Sequence, residues 1–94
     1  MITTETRPTL AAKARLRLDP LTTRYLLLYP ERGMILNQMA REILMLCTGE
    51  QTVGEIIEGL ACRYADQPRE VIEQETVEFL HDMARRGLVQ TIAP

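Results

Sequence analysis

Apolar and polar residues alternate strictly along "KARLRLD", residues 13–19. Ala14, Leu16 and Leu18 fall on one side, and Lys13, Arg15 and Arg17 on the other. Period-two alternation marks a strand with one face buried. "DPLTT" follows as a turn, because Asp19-Pro20 favours turn initiation. Two apolar runs come next, "RYLLLYP" and "GMILN", separated by "PER", with Gly33 available for a left-handed turn position. The pattern predicts three short antiparallel strands. The last two form a hairpin whose arms are apolar on both faces, more hydrophobic surface than one core needs.

At Asn37 the period changes. "NQMAREILMLCTG" places Met39, Ala40, Ile43, Leu44 and Cys47 on one helical stripe, with Asn37 as N-cap and Gly49 as the stop. "TVGEIIEGLACRYA" opens with Thr52 three residues before Glu55, a capping box. Its stripe is Val53, Ile56, Ile57, Leu60 and Tyr64. Gly54 and Gly59 lie inside this helix at a cost of ~1 kcal/mol each relative to Ala, and read as sites of close helix–helix approach. "DQP" breaks the chain. Residues 68–89, "PREVIEQETVEFLHDMARRGLV", carry the third helix, which stops at Gly87 with a core face of Ile72, Thr76, Phe79, Leu80 and Met83. "LVQTI" adds a last short strand or a packed tail. Residues 1–12 show no periodicity and read as a flexible or loosely docked N-terminal tail, leaving 13–94 as a single domain. The expected order is β-β-β-α-α-α: an α+β, small winged-helix-like domain with a three-stranded antiparallel sheet followed by three helices.

Composition narrows the function. Ninety-four residues with 46% apolar and 26% charged content make one globular domain, and with no Trp, one Phe and three Tyr the core is aliphatic. "MITTETRPTL" has no basic stretch leading into an apolar one, so no signal peptide is expected. No run is apolar enough to span a membrane. Cys47 and Cys62 have no ligand spacing and read as reduced cysteines packing as small hydrophobes. These features point to a cytoplasmic protein with no cofactor.

Catalytic chemistry is sparse. His81 is the only histidine, and it falls beside Asp82 on the polar side of the third helix. Without a second histidine, or a cysteine at ligand spacing, no metal site is expected. No nucleophile elbow, phosphate loop or zincin motif occurs. The sequence therefore predicts no catalytic residues and no enzyme.

The fold class raises an alternative, a winged-helix DNA-binding transcription regulator. Residues 69–86 carry Arg69, Arg85 and Arg86 against Glu70, Glu73, Glu75, Glu78 and Asp82, a net of −2 from three positive and five negative charges. Phosphates would repel such a helix, so no nucleic-acid partner is expected. Peptide recognition remains. The strand "GMILN" closes the sheet, and its Met-Ile-Leu carries none of the Lys or Pro that blunts an exposed edge. An extended peptide adding to that edge, against the third helix, would find main-chain partners and side-chain pockets.

In order and spacing, "RPTL", "ARLRLD", "LLLYPERGMILN", "AREILMLCTGEQTVGEII", "LACRY" and "VEFLHDMARRGLV" resemble the small protein D family of pyrroloquinoline quinone (PQQ) biosynthesis, across residues 7–89. The resemblance implies a peptide chaperone, a recognition element for ribosomally made, modified peptides. It implies two partners: the PQQ precursor peptide, protein A, and a radical S-adenosylmethionine (SAM) enzyme, protein E, which cross-links a Glu and a Tyr of the precursor. By analogy the leader docks antiparallel to the third strand. That assigns peptide binding to Met34, Ile35 and Leu36 on the strand. On the third helix, helical phase assigns Ile72, Thr76, Val77, Leu80 and His81. A homodimer through the same edge is a further expectation.

Overall fold

The structure is a computed structural model that describes residues 2–29 and 32–92. Among these residues, five strands and three helices follow one another as β1 (Arg7–Leu10), β2 (Arg15–Asp19), β3 (Arg24–Tyr29), β4 (Arg32–Leu36), α1 (Gln38–Met45), α2 (Val53–Arg63), α3 (Arg69–Arg85) and β5 (Val89–Ile92). Strands β2, β3 and β4 form the expected three-stranded antiparallel sheet, with β3 in the middle. The turn expected at "PER" falls largely on residues 30–31, outside the described residues. Gly33, read as a left-handed turn position, instead pairs with Leu28 within β4.

Register explains how the sheet meets the helices. Leu16, Leu27 and Met34 lie opposite one another across the three strands, as do Leu18, Tyr25 and Leu36. Side chains on one row share a face. The first row packs on the core, with Leu27 fully buried at its centre. The core itself is aliphatic: Ile43, Leu44, Val53, Ile56, Ile57, Leu60, Ile72, Leu80, Met83 and Leu88 are all buried.

The helix boundaries follow the signals read in the sequence. Asn37 Oδ1 accepts from the Ala40 N–H at 2.7 Å. In α2 the Glu55 N–H donates to Thr52 Oγ1 at 3.1 Å, and Glu55 Oε1 accepts from the Thr52 N–H at 2.9 Å, completing the capping box. Helix α3 ends in a Schellman motif: Gly87, at φ +72°, and Leu88 donate back to the carbonyls of Ala84 and Met83.

Residues 7–10 correct the expectation of a flexible tail over 1–12. They form β1, which pairs antiparallel with β5 in a second, two-stranded sheet. Upstream, the carbonyls of Thr6 and Thr4 accept from the Val53 and Gly54 N–H groups at 2.8 and 2.9 Å. These are orphan donors at the start of α2, which no intrahelical partner satisfies. The sequence shows no periodicity here because the pairing partner lies about 80 residues away and only four residues take part. The same contact explains Gly54. A Cβ there would sit 3.2 Å from the Thr4 carbonyl oxygen, so the close approach is to the N-terminal segment and not to another helix. Gly59 has nothing within 4 Å of the equivalent position.

The cysteines part company. Cys47 is buried, donates to the Ile43 carbonyl at 3.2 Å, and has its thiol pushed up to about 12 by desolvation. Cys62, read as a packed small hydrophobe, is exposed.

Candidate functional site

Strand β4 pairs on one side with β3 and, among the described residues, has no strand on the other. Alternate backbone N–H and C=O groups of an edge strand point outward without a partner. Its side chains are graded by the pleat. Leu36 is buried, Met34 is half-buried against the core, and Ile35 is 62% exposed on the opposite face.

Past Leu36 the chain turns at Asn37 straight into α1, which brings the helix alongside the strand's end. A cleft of about 90 Å³ opens there between α1 and α3, lined by Asn37, Met39, Ala40, Ile43, Glu75 and Phe79. Its walls are mostly apolar, and Glu75 supplies a carboxylate. On the other side of the same corner an open pocket of about 400 Å³ is lined by residues that include Arg24, Tyr25 and Arg41. Arg41 stacks over the Tyr25 ring at 4.5 Å, so its guanidinium is already placed.

The structure divides the helix-three residues expected to face a peptide. Ile72, Thr76 and Leu80 are fully buried and present no surface. They are the stripe that anchors α3 to the core. Val77 is half-buried and His81 exposed. At 3.6 residues per turn, Val77 lies about 160° around the helix from Phe79, so it does not border the cleft at the end of β4. Helical phase orders residues around α3 but does not specify which flank meets a neighbouring element. Phe79 was read as core and is only partly buried, on the flank that meets α1. The available signal was its neighbour one turn earlier, Glu75, since a core stripe does not drift onto a carboxylate.

The Thr76 hydroxyl is buried with no hydrogen-bond partner among the described residues. No group of three or more metal-ligating side chains occurs among them either. No helix among the described residues is long and apolar enough to cross a membrane.

A small α+β domain with an open apolar strand edge beside an interhelical cleft is built as a peptide-recognition module, with an edge to pair and a hollow to fill. The family model for coenzyme PQQ synthesis protein D matches residues 24–89, and the chain belongs to that family. A PqqA binding protein of Bradyrhizobium diazoefficiens is 37% identical over 83 residues, covering 88% of this chain and 80% of its own. A second PqqA binding protein, from Rhodopseudomonas palustris, is 40% identical over the same coverage. A bifunctional coenzyme PQQ synthesis protein C/D of Methylorubrum extorquens is 31% identical over 83 residues, 22% of that longer chain. Among solved structures, the solution structure of the PqqD part of Methylobacterium extorquens PqqCD, described as a stand-alone recognition element for ribosomally synthesized and modified peptides, superposes with a TM-score of 0.78. The two share 28% identity, over 96% of this chain and 95% of that one.

Proposed function

We propose that this chain is a non-catalytic peptide chaperone of PQQ biosynthesis that works in the cytoplasm. It takes the leader of the precursor peptide as an added strand on the free edge of β4 and presents it to the radical SAM enzyme that cross-links Glu and Tyr. The observation that carries the reading is the edge itself: an apolar strand, unguarded at Met34, Ile35 and Leu36, whose outer edge pairs with no other strand among the described residues. Main-chain pairing there gives affinity, and a peptide running antiparallel to β4 enters past Leu36, beside the α1–α3 cleft. The wall then belongs to Phe79 and Met39, with Glu75 at the rim. Ile72, Thr76 and Leu80 hold α3 from beneath, and Val77 and His81 lie outside the contact. The names of the relatives, PqqA binding proteins, agree with this reading. A DNA-binding role has no support: Glu70, Glu75 and Glu78 are all exposed along α3.

Titrating the isotope-labelled protein with a synthetic precursor peptide tests the proposal. Amide shifts confined to residues 33–37 and the Met39–Phe79 cleft are expected. Ile35→Asp should weaken binding by about tenfold or more, with its circular dichroism unchanged. Saturating peptide that leaves residues 33–37 unmoved sinks the assignment, and concentration-dependent shifts without peptide would show a second copy on the edge instead.

A further inference from the structure

The three-stranded sheet has two faces, and the helices cover one. On the other face Arg17, Leu26 and Ile35 lie in one row across the strands, and Arg15, Leu28 and Gly33 in the next. Arg15, Arg17 and Arg24 are exposed, while Leu26 and Leu28 are half-buried between them. Asp19, the acidic residue at the rim, is occupied by its own turn: its carboxylate accepts from the Leu21 N–H at 3.1 Å and from the Thr22 hydroxyl at 2.9 Å. The ion pairs among the described residues all lie on or between the helices, and none involves these three arginines.

We propose that this outer sheet face docks an acidic protein surface with an apolar centre. Arginines placed only for solubility would do equally well around threonines, yet the central strand carries Leu26 and Leu28 on its open side. Apolar side chains ringed by guanidinium groups are the composition of an interface core and its rim. The chain is net negative, and seven of its thirteen acidic residues lie on α2 and α3. Arg15, Arg17 and Arg24 give this face a local positive charge outside the helices' ion pairs, which would orient an acidic partner as it arrives. A nucleic acid is the weaker match, because phosphates need no apolar row and would meet the field of the acidic helices.

Area sets the kind of contact. Three strands ~4.8 Å apart and five residues long at ~3.3 Å each present roughly 240 Å². That is well below the ~800 Å² per partner of a stable complex, so docking here is transient and salt-sensitive. A peptide added to β4 would widen the platform by one strand, a coupling that rests on the proposed function. The face itself does not depend on it.

The test is a titration of the labelled full chain with a synthetic 16-residue helical peptide carrying glutamates on one side and leucines at helical spacing. Shifts at Arg15, Arg17, Leu26 and Ile35 are expected, weakening by about tenfold between roughly 0.05 and 0.5 M salt as screening shortens. Arg17→Glu should abolish them while leaving the unfolding midpoint and precursor-peptide binding at β4 unchanged. The proposal is overturned if a glutamine version of the probe binds equally well, or if a DNA duplex occupies the same residues more tightly. It is also overturned if dilution of the protein alone reproduces the shifts, which would assign the face to a second copy.

Discussion

The hydroxyl of Tyr64 donates to Glu42 Oε2 at 2.7 Å while Arg63 Nη2 stands 3.0 Å from Oε1, so two residues at the end of α2 hold one buried carboxylate of α1. Glu42 is only 4% exposed, and a lone carboxylate there would be costly. Tyr64→Phe is expected to destabilise the fold by ~1–3 kcal/mol, because it strands a buried acceptor. Arg63→Ala, removing a largely exposed partner, should cost less than ~1 kcal/mol. Urea unfolding of both variants checks the order. A larger loss for Arg63→Ala would show that the charge, and not the hydroxyl, secures the site.

Thr76 gives the opposite sign. Its buried hydroxyl has no partner among the described residues, so Thr76→Val keeps the shape and removes an unpaired polar group. Stability should rise by up to ~1 kcal/mol. A fall in the thermal midpoint would mean that the hydroxyl is satisfied in solution.

The two glycines of α2 separate helix propensity from packing. Gly59→Ala faces open space and should gain ~1 kcal/mol. Gly54→Ala gains the same propensity but presses a Cβ to 3.2 Å from a backbone oxygen of Thr4, so its gain should be smaller or reversed. Equal gains in a denaturant series would show that the N-terminal segment yields freely.

Alkali and thiol reagents probe Cys47 and Tyr64. Burial pushes the Cys47 thiol from 9.0 up to about 12, and the hydrogen bond to Glu42 raises Tyr64 above its ordinary value. Both shifts favour the protonated form in the folded state. The stability they contribute is therefore complete below the unfolded values and is lost as pH rises through the folded ones. Unfolding free energy should decline from about pH 9 upward, and less steeply in Cys47→Ala. At neutral pH iodoacetamide should label Cys62 and spare Cys47, as followed by mass spectrometry. Equal labelling would contradict the burial of Cys47.

Acid acts on different groups. Backbone and side-chain hydrogen bonds from Thr52 hold Glu55 below the usual carboxylate range, and hydrogen bonds from Arg85 and Arg86 do the same for Asp82. Their contribution is present above the unfolded carboxylate values and fades as pH falls through the lowered ones. Thr52→Ala removes the hydroxyl but keeps the backbone N–H, the larger cause, so it should move the Glu55 titration only part of the way back up, as read by carboxyl carbon shifts. A full return to the ordinary carboxylate range would show that the hydroxyl, and not the backbone donor, sets the shift.

Local signals in the sequence were sufficient for the helices and the main sheet. Asn37, the Thr52–Glu55 pair and Gly87 act within a turn of the chain, and the alternation of residues 13–19 needs only one buried face to be legible. What no local signal carried was pairing at a distance: β1 finds β5, Thr4 and Thr6 find the start of α2, and Tyr64 finds Glu42. The proposed site divides in the same way. Met34, Ile35 and Leu36 were legible because an unguarded apolar strand is anomalous on its own. The flank of α3 that borders the α1–α3 cleft was not, because helical phase fixes angles between residues and only tertiary packing decides where a neighbouring element lies. Tertiary packing therefore buried Ile72, Thr76 and Leu80 and brought Phe79 and Glu75 to the cleft.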